Sequence, residues 1–140
     1  MRLVLDTNIL IAALIKDSLT RKIFFLSDFE YHLPEYALEE VTRHRAKIAR
    51  HSHLNYREID LLLSLLLESV TVVPAQKILP HLKAAEALIG DVDKGDVPFV
   101  ALALAMENDG IWSNDRAFEH LKGITVWKTS DIKAYLDKRS

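Results

Sequence analysis

Arg2-Leu3-Val4-Leu5-Asp6-Thr7-Asn8 decides how the rest of the chain is read. The large apolar residues Leu3, Val4 and Leu5 stop abruptly at Asp-Thr-Asn, and a helical pattern begins at once with Ile9-Leu10-Ile11-Ala12-Ala13-Leu14. A short apolar run closed by a turn signal has the form of a strand buried on both faces, as inside a parallel sheet. Open α/β sheets bind ligands just beyond the carboxyl ends of their strands, which is where Asp6 falls. Capping competes with chemistry at this position, because Asp and Asn both satisfy free N–H groups at helix starts.

The whole chain narrows the choice. Its 140 residues suffice for a core without metal or disulfide support, and they are read as one domain over 1–140. Hydrophobic content of 49% with 27% charged residues is that of an ordinary globular protein. The absence of cysteine removes thiolate metal sites and thiol nucleophiles, and gives no argument for secretion. Asp6 interrupts the first apolar run, so the N-terminus lacks a signal-peptide layout. The Leu61–Leu67 patch is too short to span a bilayer. A cytoplasmic location with no membrane partner is the expectation. A net charge of −2 supplies no general attraction to nucleic acid, so such binding has to come from a local patch.

Along the chain, strand and helix patterns alternate. Ser18 and Thr20 are candidate caps for a helix through Ile23, Phe24, Phe25 and Leu26. Tyr31-His32-Leu33 reads as a strand stopped by Pro34, which also suits the first turn of one long helix through Leu38, Val41, Ala46 and Ile48. That helix is acidic at first (Glu35, Glu39, Glu40) and then basic, with Arg43, Arg45, Lys47 and Arg50. Asn55 with Glu58 forms a capping-box pattern ahead of a helix apolar on most of its circumference, Ile59 to Leu67. Val70-Thr71-Val72-Val73 reads as another buried strand, and a further helical pattern runs from Leu79 to Leu88.

The loop Gly90-Asp91-Val92-Asp93-Lys94-Gly95-Asp96 opens into Val97–Met106, where Pro98 fits only a first helical turn. Gly110–Ser113 is a short strand ending at Asn114-Asp115. A helix with Ala117, Phe118 and Leu121 follows, then the strand Ile124–Trp127 and a terminal helix capped by Ser130 or Asp131. This alternation predicts a three-layer α/β/α sandwich with a central parallel sheet.

Asp6 and Asp115 follow strands, Asp96 heads a helix, and Glu39 or Glu40 lies early in another; crossover geometry brings such positions to one edge of the sheet. Clustered carboxylates repel unless a cation lies between them. Hard, oxygen-seeking Mg²⁺ or Mn²⁺ suits them, and carboxylate-held ions suit phosphodiester hydrolysis. Capping alone accounts for Asp96 and Asp115 taken singly, and Asp91 and Asp93 read as solvated loop acids, with a part in the outer shell of the site as the alternative. The histidines show no metal-binding spacing.

Leu5-Asp6-Thr7-Asn8, the acid before Val41, Asp96 followed by Val97-Pro98-Phe99-Val100-Ala101-Leu102-Ala103, and Ser113-Asn114-Asp115 together resemble a PIN domain, in order and from Arg2 to about Tyr135. PIN domains are metal-dependent ribonucleases and include toxins of prokaryotic toxin–antitoxin pairs. The resemblance implies a Mg²⁺ or Mn²⁺ site of Asp6, Glu40, Asp96 and Asp115, with Asn8 and Ser113 as supporting polar groups. Glu40 is preferred to Glu39 because it directly precedes Val41.

The function expected is a single-strand RNA endonuclease whose Arg43, Arg45, Lys47 and Arg50 grip the RNA backbone through sequence-independent charge. An antitoxin is an expected partner. The Ile59–Leu67 belt, with the habit of the family, points to a homodimer. Asn8 stands where a haloacid-dehalogenase phosphotransferase wants a second acid, and no middle strand supplies the phosphoacceptor Asp of a receiver domain. The rival is a non-catalytic RNA- or partner-binding module of the same fold.

Overall fold

The computed structural model describes residues 1–89 and 94–140, so Gly90, Asp91 and Asp93 of the acidic loop lie outside the described residues. The apolar runs become strands β1 (Arg2–Leu5), β2 (Glu30–Pro34), β3 (Val70–Val73), β4 (Gly110–Trp112) and β5 (Val126–Trp127). They form one parallel sheet in the order β3-β2-β1-β4-β5. Between them run α1 (Thr7–Ile15), α2 (Leu19–Leu26), α3 (Tyr36–Arg43), α4 (Arg45–Ser52), α5 (Tyr56–Leu67), α6 (Ala75–Ile78), α7 (Leu82–Ile89) and α8 (Val97–Ala105). The last helix is α9 (Thr129–Arg139), and 3₁₀ turns occupy Leu79–His81, Lys94–Asp96 and Arg116–Phe118.

From β1 the chain steps outward through β2 to β3, then returns to lay β4 and β5 on the other side of β1. Right-handed crossovers therefore put the helices of the first half on one face and those of the second on the other. On the first face α1 packs against α2, α3, α4 and α5; on the second α8 packs against α6 and α7 and across β1, β2 and β4. The expected α/β/α sandwich is what forms. Strand direction of travel reverses between β1 and β4, and the crevice at such a reversal is where open α/β sheets take ligands.

The central strand is buried from Leu3 onward. Leu3, Val4 and Leu5 are fully enclosed, and Tyr31, Trp112 and Phe24 stack beside them with ring centroids 4.8–5.9 Å apart. Among the described residues no helix is long and apolar enough to cross a membrane.

Several local expectations change. The long helix breaks at His44 (φ −96°, ψ 10°) into α3 and α4, because Val41 and Ile48 turn inward on separate helices. Pro34 ends β2 rather than opening a helix; it lies opposite Val73, and the following Glu35 N–H donates to the Val73 carbonyl. β3 is an edge strand with Thr71 and Val72 exposed, not a fully buried one. In α5 only Ile59 and Leu66 are buried, while Leu61 and Leu65 face outward; its Asn55–Glu58 capping box forms as expected. After β4 a single 3₁₀ turn replaces the expected helix. Lys128, not Ser130 or Asp131, caps α9, with Asp131 accepting the Lys128 N–H at 2.9 Å.

Gly110 opens β4 at φ +137°, in the region that side chains other than glycine's rarely enter. A Cβ there would collide with the Thr125 carbonyl and lie 2.8 Å from Trp127 Cδ1. Gly110→Ala is expected to lower unfolding stability by about 2–5 kcal/mol, from backbone strain and overpacking together. Urea denaturation checks this.

Candidate active site

Parallel pairing assembles the site. Leu5 lies opposite Trp112, and the Asp6 N–H donates to the Trp112 carbonyl at 3.2 Å, so the next residues on each strand, Asp6 and Ser113, fall side by side. The Ser113 hydroxyl donates to Asp6 Oδ2 at 2.7 Å and accepts the Asp115 N–H at 3.0 Å. One buried serine thus fixes both the first acid and the turn that carries the second. The Asp115 carboxylate accepts the Ala117 N–H at 2.9 Å, capping the 3₁₀ turn.

Asp6 also stands at the N-cap of α1, but its Oδ1 is a long 3.5 Å from the Asn8 N–H. Thr7, only 3% exposed, donates its hydroxyl to Glu40 Oε1 at 2.7 Å and so draws α3 to the strand end. Glu40 is half-buried on that side, while Glu39 is exposed. Thr7 carries no sequence-level assignment. The available signal was a hydroxyl immediately after the leading acid, too common at helix starts to single out.

The electrostatics of Asp6 are those of a crowded carboxylate. Burial pushes its pKa above the ordinary 3.8; the hydrogen bonds from Ser113 and from the Asn8 amide pull it down, and the charges of Asp115 and Glu40 push it up again. Asp96 is buried at the head of α8, where its side chain makes no capping hydrogen bond to that helix. The Asn8 side chain is exposed beside Asp6.

Asp6, Glu40, Asp115 and Ser113 are therefore brought into one neighbourhood, and Asp96 is carried by a helix packed on β1 and β4. They are not closed into a cage. Among the described residues no group of three or more His, Asp or Glu stands close enough to hold an ion. The donors present are carboxylate and hydroxyl oxygens, the chemistry a hard divalent cation requires, and the mutual charge around Asp6 is what such a cation would relieve. A depression of about 600 Å³ lies instead at the amino-terminal edge of the sheet. Three of its acids are engaged, Glu30 by Arg2, Asp28 by Arg139 and Asp109 by the Arg2 amide.

The basic residues divide. Arg45 is tied to the Asp60 carboxylate and lies over the Tyr56 ring at 4.3 Å, which joins α4 to α5. Arg43, Lys47 and Arg50 are exposed.

Because the folded-state pKa of Asp6 is raised, ionising it costs stability. That cost grows as pH rises from 3.8 through the raised value and is constant above it. Metal-free Asp6→Asn is expected to be at least as stable as wild type at pH 7, the gap closing as pH falls towards 3.8. A wild type clearly more stable than the variant at pH 7, by chemical denaturation in EDTA, would mark Asp6 as a cap whose charge is welcome.

No curated protein matches the sequence. Among solved structures, the fold is similar to a chain in the crystal structure of VapBC2 from Rickettsia felis bound to a DNA fragment from their promoter. The TM-score is 0.70, over 91% of this chain and 98% of that one, and at 15% identity the likeness speaks to the fold. The family model described as PIN domain matches residues 4–137, a span holding Asp6, Glu40, Asp96, Ser113 and Asp115. The chain belongs to the PIN domain family.

Proposed function

We propose that this PIN domain is a Mg²⁺- or Mn²⁺-dependent endonuclease of single-stranded RNA. The observation that carries the reading is Asp6, a buried carboxylate at the reversal point of the sheet, held by Ser113 and crowded by the charges of Asp115 and Glu40. Strongly perturbed ionisable groups cluster at functional sites, where burial and like charge are arranged to shift them. Asp6, Glu40, Asp96 and Asp115 would hold the ion, with Asn8 and Ser113 in support. A bound divalent cation supplies charge neutralisation at the scissile phosphate and a lowered pKa for an attacking water.

The residues of the chain do the positioning. Ser113 orients Asp6 Oδ2, Thr7 orients Glu40 Oε1, and the Ala117 amide orients Asp115 Oδ1. In this proposal water is the nucleophile and no side chain forms a covalent intermediate. Arg43, Lys47 and Arg50 would contact the RNA backbone, and Arg45 would contribute by holding α4 against α5. A non-catalytic binding module is the second reading, favoured by the lack, among the described residues, of acids already grouped around an ion.

Activity as the toxin of a toxin–antitoxin pair, in the cytoplasm and with an antitoxin as partner protein, is part of this proposal; membership of the PIN domain family supports it, and the fold likeness to a chain of the VapBC2 structure is consistent with it. Homodimerisation is supported by Leu61 and Leu65, which are 64% and 44% exposed and form an i, i+4 ridge on α5.

Cleavage of single-stranded RNA is expected with Mn²⁺ or Mg²⁺, to cease in EDTA, and to fall at least ~100-fold in Asp6→Asn, as for loss of a main electrostatic group. Metal should raise the wild-type melting temperature and that of the variant much less. An active Asp6→Asn with the full metal shift would sink the nuclease reading. Sedimentation at tens of micromolar should give a dimer, and Leu61→Glu with Leu65→Glu a monomer; a wild-type monomer would remove the dimer from the proposal.

A further inference from the structure

The four cations of the basic stretch are not equivalent, and the difference points to a subsite. Arg45 is closed off: Asp60 takes its guanidinium, the Tyr56 carbonyl accepts from it, and the Tyr56 ring lies 4.3 Å beneath. Arg43 is held differently. Its guanidinium lies over the Tyr36 ring at 5.4 Å and hydrogen-bonds the Tyr36 side chain, and among the described residues no carboxylate pairs with it within 4.0 Å. An aromatic face orients a guanidinium while leaving its N–H groups for another partner.

The place matters as much as the pairing. Tyr36, Glu40 and Arg43 are spaced i, i+4, i+7, so they share one face of α3. Glu40 on that face is the residue that Thr7 holds at the end of β1. Tyr36 opens α3 two residues past the carboxyl end of β2, on the edge of the sheet where ligands bind. An aromatic ring and a cation with donors beyond those Tyr36 takes thus flank an acid of the proposed centre, within one helical turn on either side.

We propose that Tyr36 and Arg43 form a nucleotide subsite beside Glu40, the guanidinium edge taking a backbone phosphate of single-stranded RNA and the stacked pair taking a base. Stacking on an aromatic or guanidinium plane tolerates any base, and a single strand is the form whose bases are free to splay out. Lys47 and Arg50, further along on α4, would add charge without a platform. This subsite rests on the nuclease reading given above, and the experiment separates the two.

Binding of a labelled short oligoribonucleotide is followed by fluorescence anisotropy in EDTA, which stops hydrolysis, across a range of KCl concentrations. Wild-type cleavage of the same RNA in Mn²⁺ is measured alongside. Tyr36→Leu should weaken binding by about 5- to 100-fold with the salt slope unchanged, and Tyr36→Phe should restore it. Arg43→Gln should lower the slope by about 0.7, the increment for one phosphate contact on a single strand. Abasic sites in the RNA should weaken wild-type binding and erase the Tyr36→Leu effect.

If Tyr36→Leu binds like wild type, or if wild type binds abasic and normal RNA equally, the subsite is overturned even where Mn²⁺ cleavage stands. The wild-type abasic comparison decides the matter if Tyr36→Leu melts early. Tyr36-dependent binding without Mn²⁺ cleavage upholds the subsite and removes the nuclease reading. A wild type that binds no RNA overturns both.

Discussion

The pairing of β1 with β4 is the constraint on which the rest depends. Opposition of Leu5 and Trp112 delivers Asp6 beside Ser113, and the 2.7 Å hydrogen bond between them joins residues 107 positions apart. Side chains alternate along a strand, so a slip of one residue would turn Leu3 and Leu5 to the other face and carry Asp6 away from Ser113. Such a slip would also draw Arg2 or Asp6 into a place that Leu3 or Leu5 now fills, forfeiting apolar burial of about 1.5–3 kcal/mol for a fully buried large side chain and burying a charge instead. The apolar core therefore specifies the polar site, although no apolar residue belongs to it.

Capping and chemistry need not compete for the same acid. Asp115 makes a good cap at 2.9 Å and still contributes charge to Asp6, whereas Asp6 occupies an N-cap position with a long contact of 3.5 Å. Asp6 directs its better geometry across the crevice to Ser113 rather than along its own helix. The helix start places the carboxylate, and the neighbouring strand orients it.

Much of this was legible in the sequence, for a local reason. Strand ends followed by acids, Pro98 in a first turn and the Asn55–Glu58 box are short-range patterns, and each forms as read. At the candidate site, Asp6 and Asp115 were readable as acids that follow strands, whereas the hydrogen bond from Thr7 to Glu40 joins residues 33 positions apart and has no local signature. What was not legible depends on partners distant in sequence. Val70–Val73 has the composition of a buried strand, and only the strand order makes it an edge. The break at His44 follows from where α3 and α4 meet α1, and the engagement of Arg45 from Asp60 on the next helix. The outward ridge of α5 has the same origin, since composition cannot tell which leucines face the sheet.

The separation of Asp6 from Ser113 has a consequence in time. Chains emerge from the ribosome N-terminus first, at about 5–20 residues per second, so roughly 5–20 s pass between synthesis of these two partners. During that interval β1 has β2 available but lacks β4, and Asp6 has no serine to orient it. Loop-closure cost makes such long-range parallel pairing slow in any case. The acidic site thus cannot be complete before β4 and the turn after it are made, and a shorter nascent chain carries the residues of one face's helices without the site they serve.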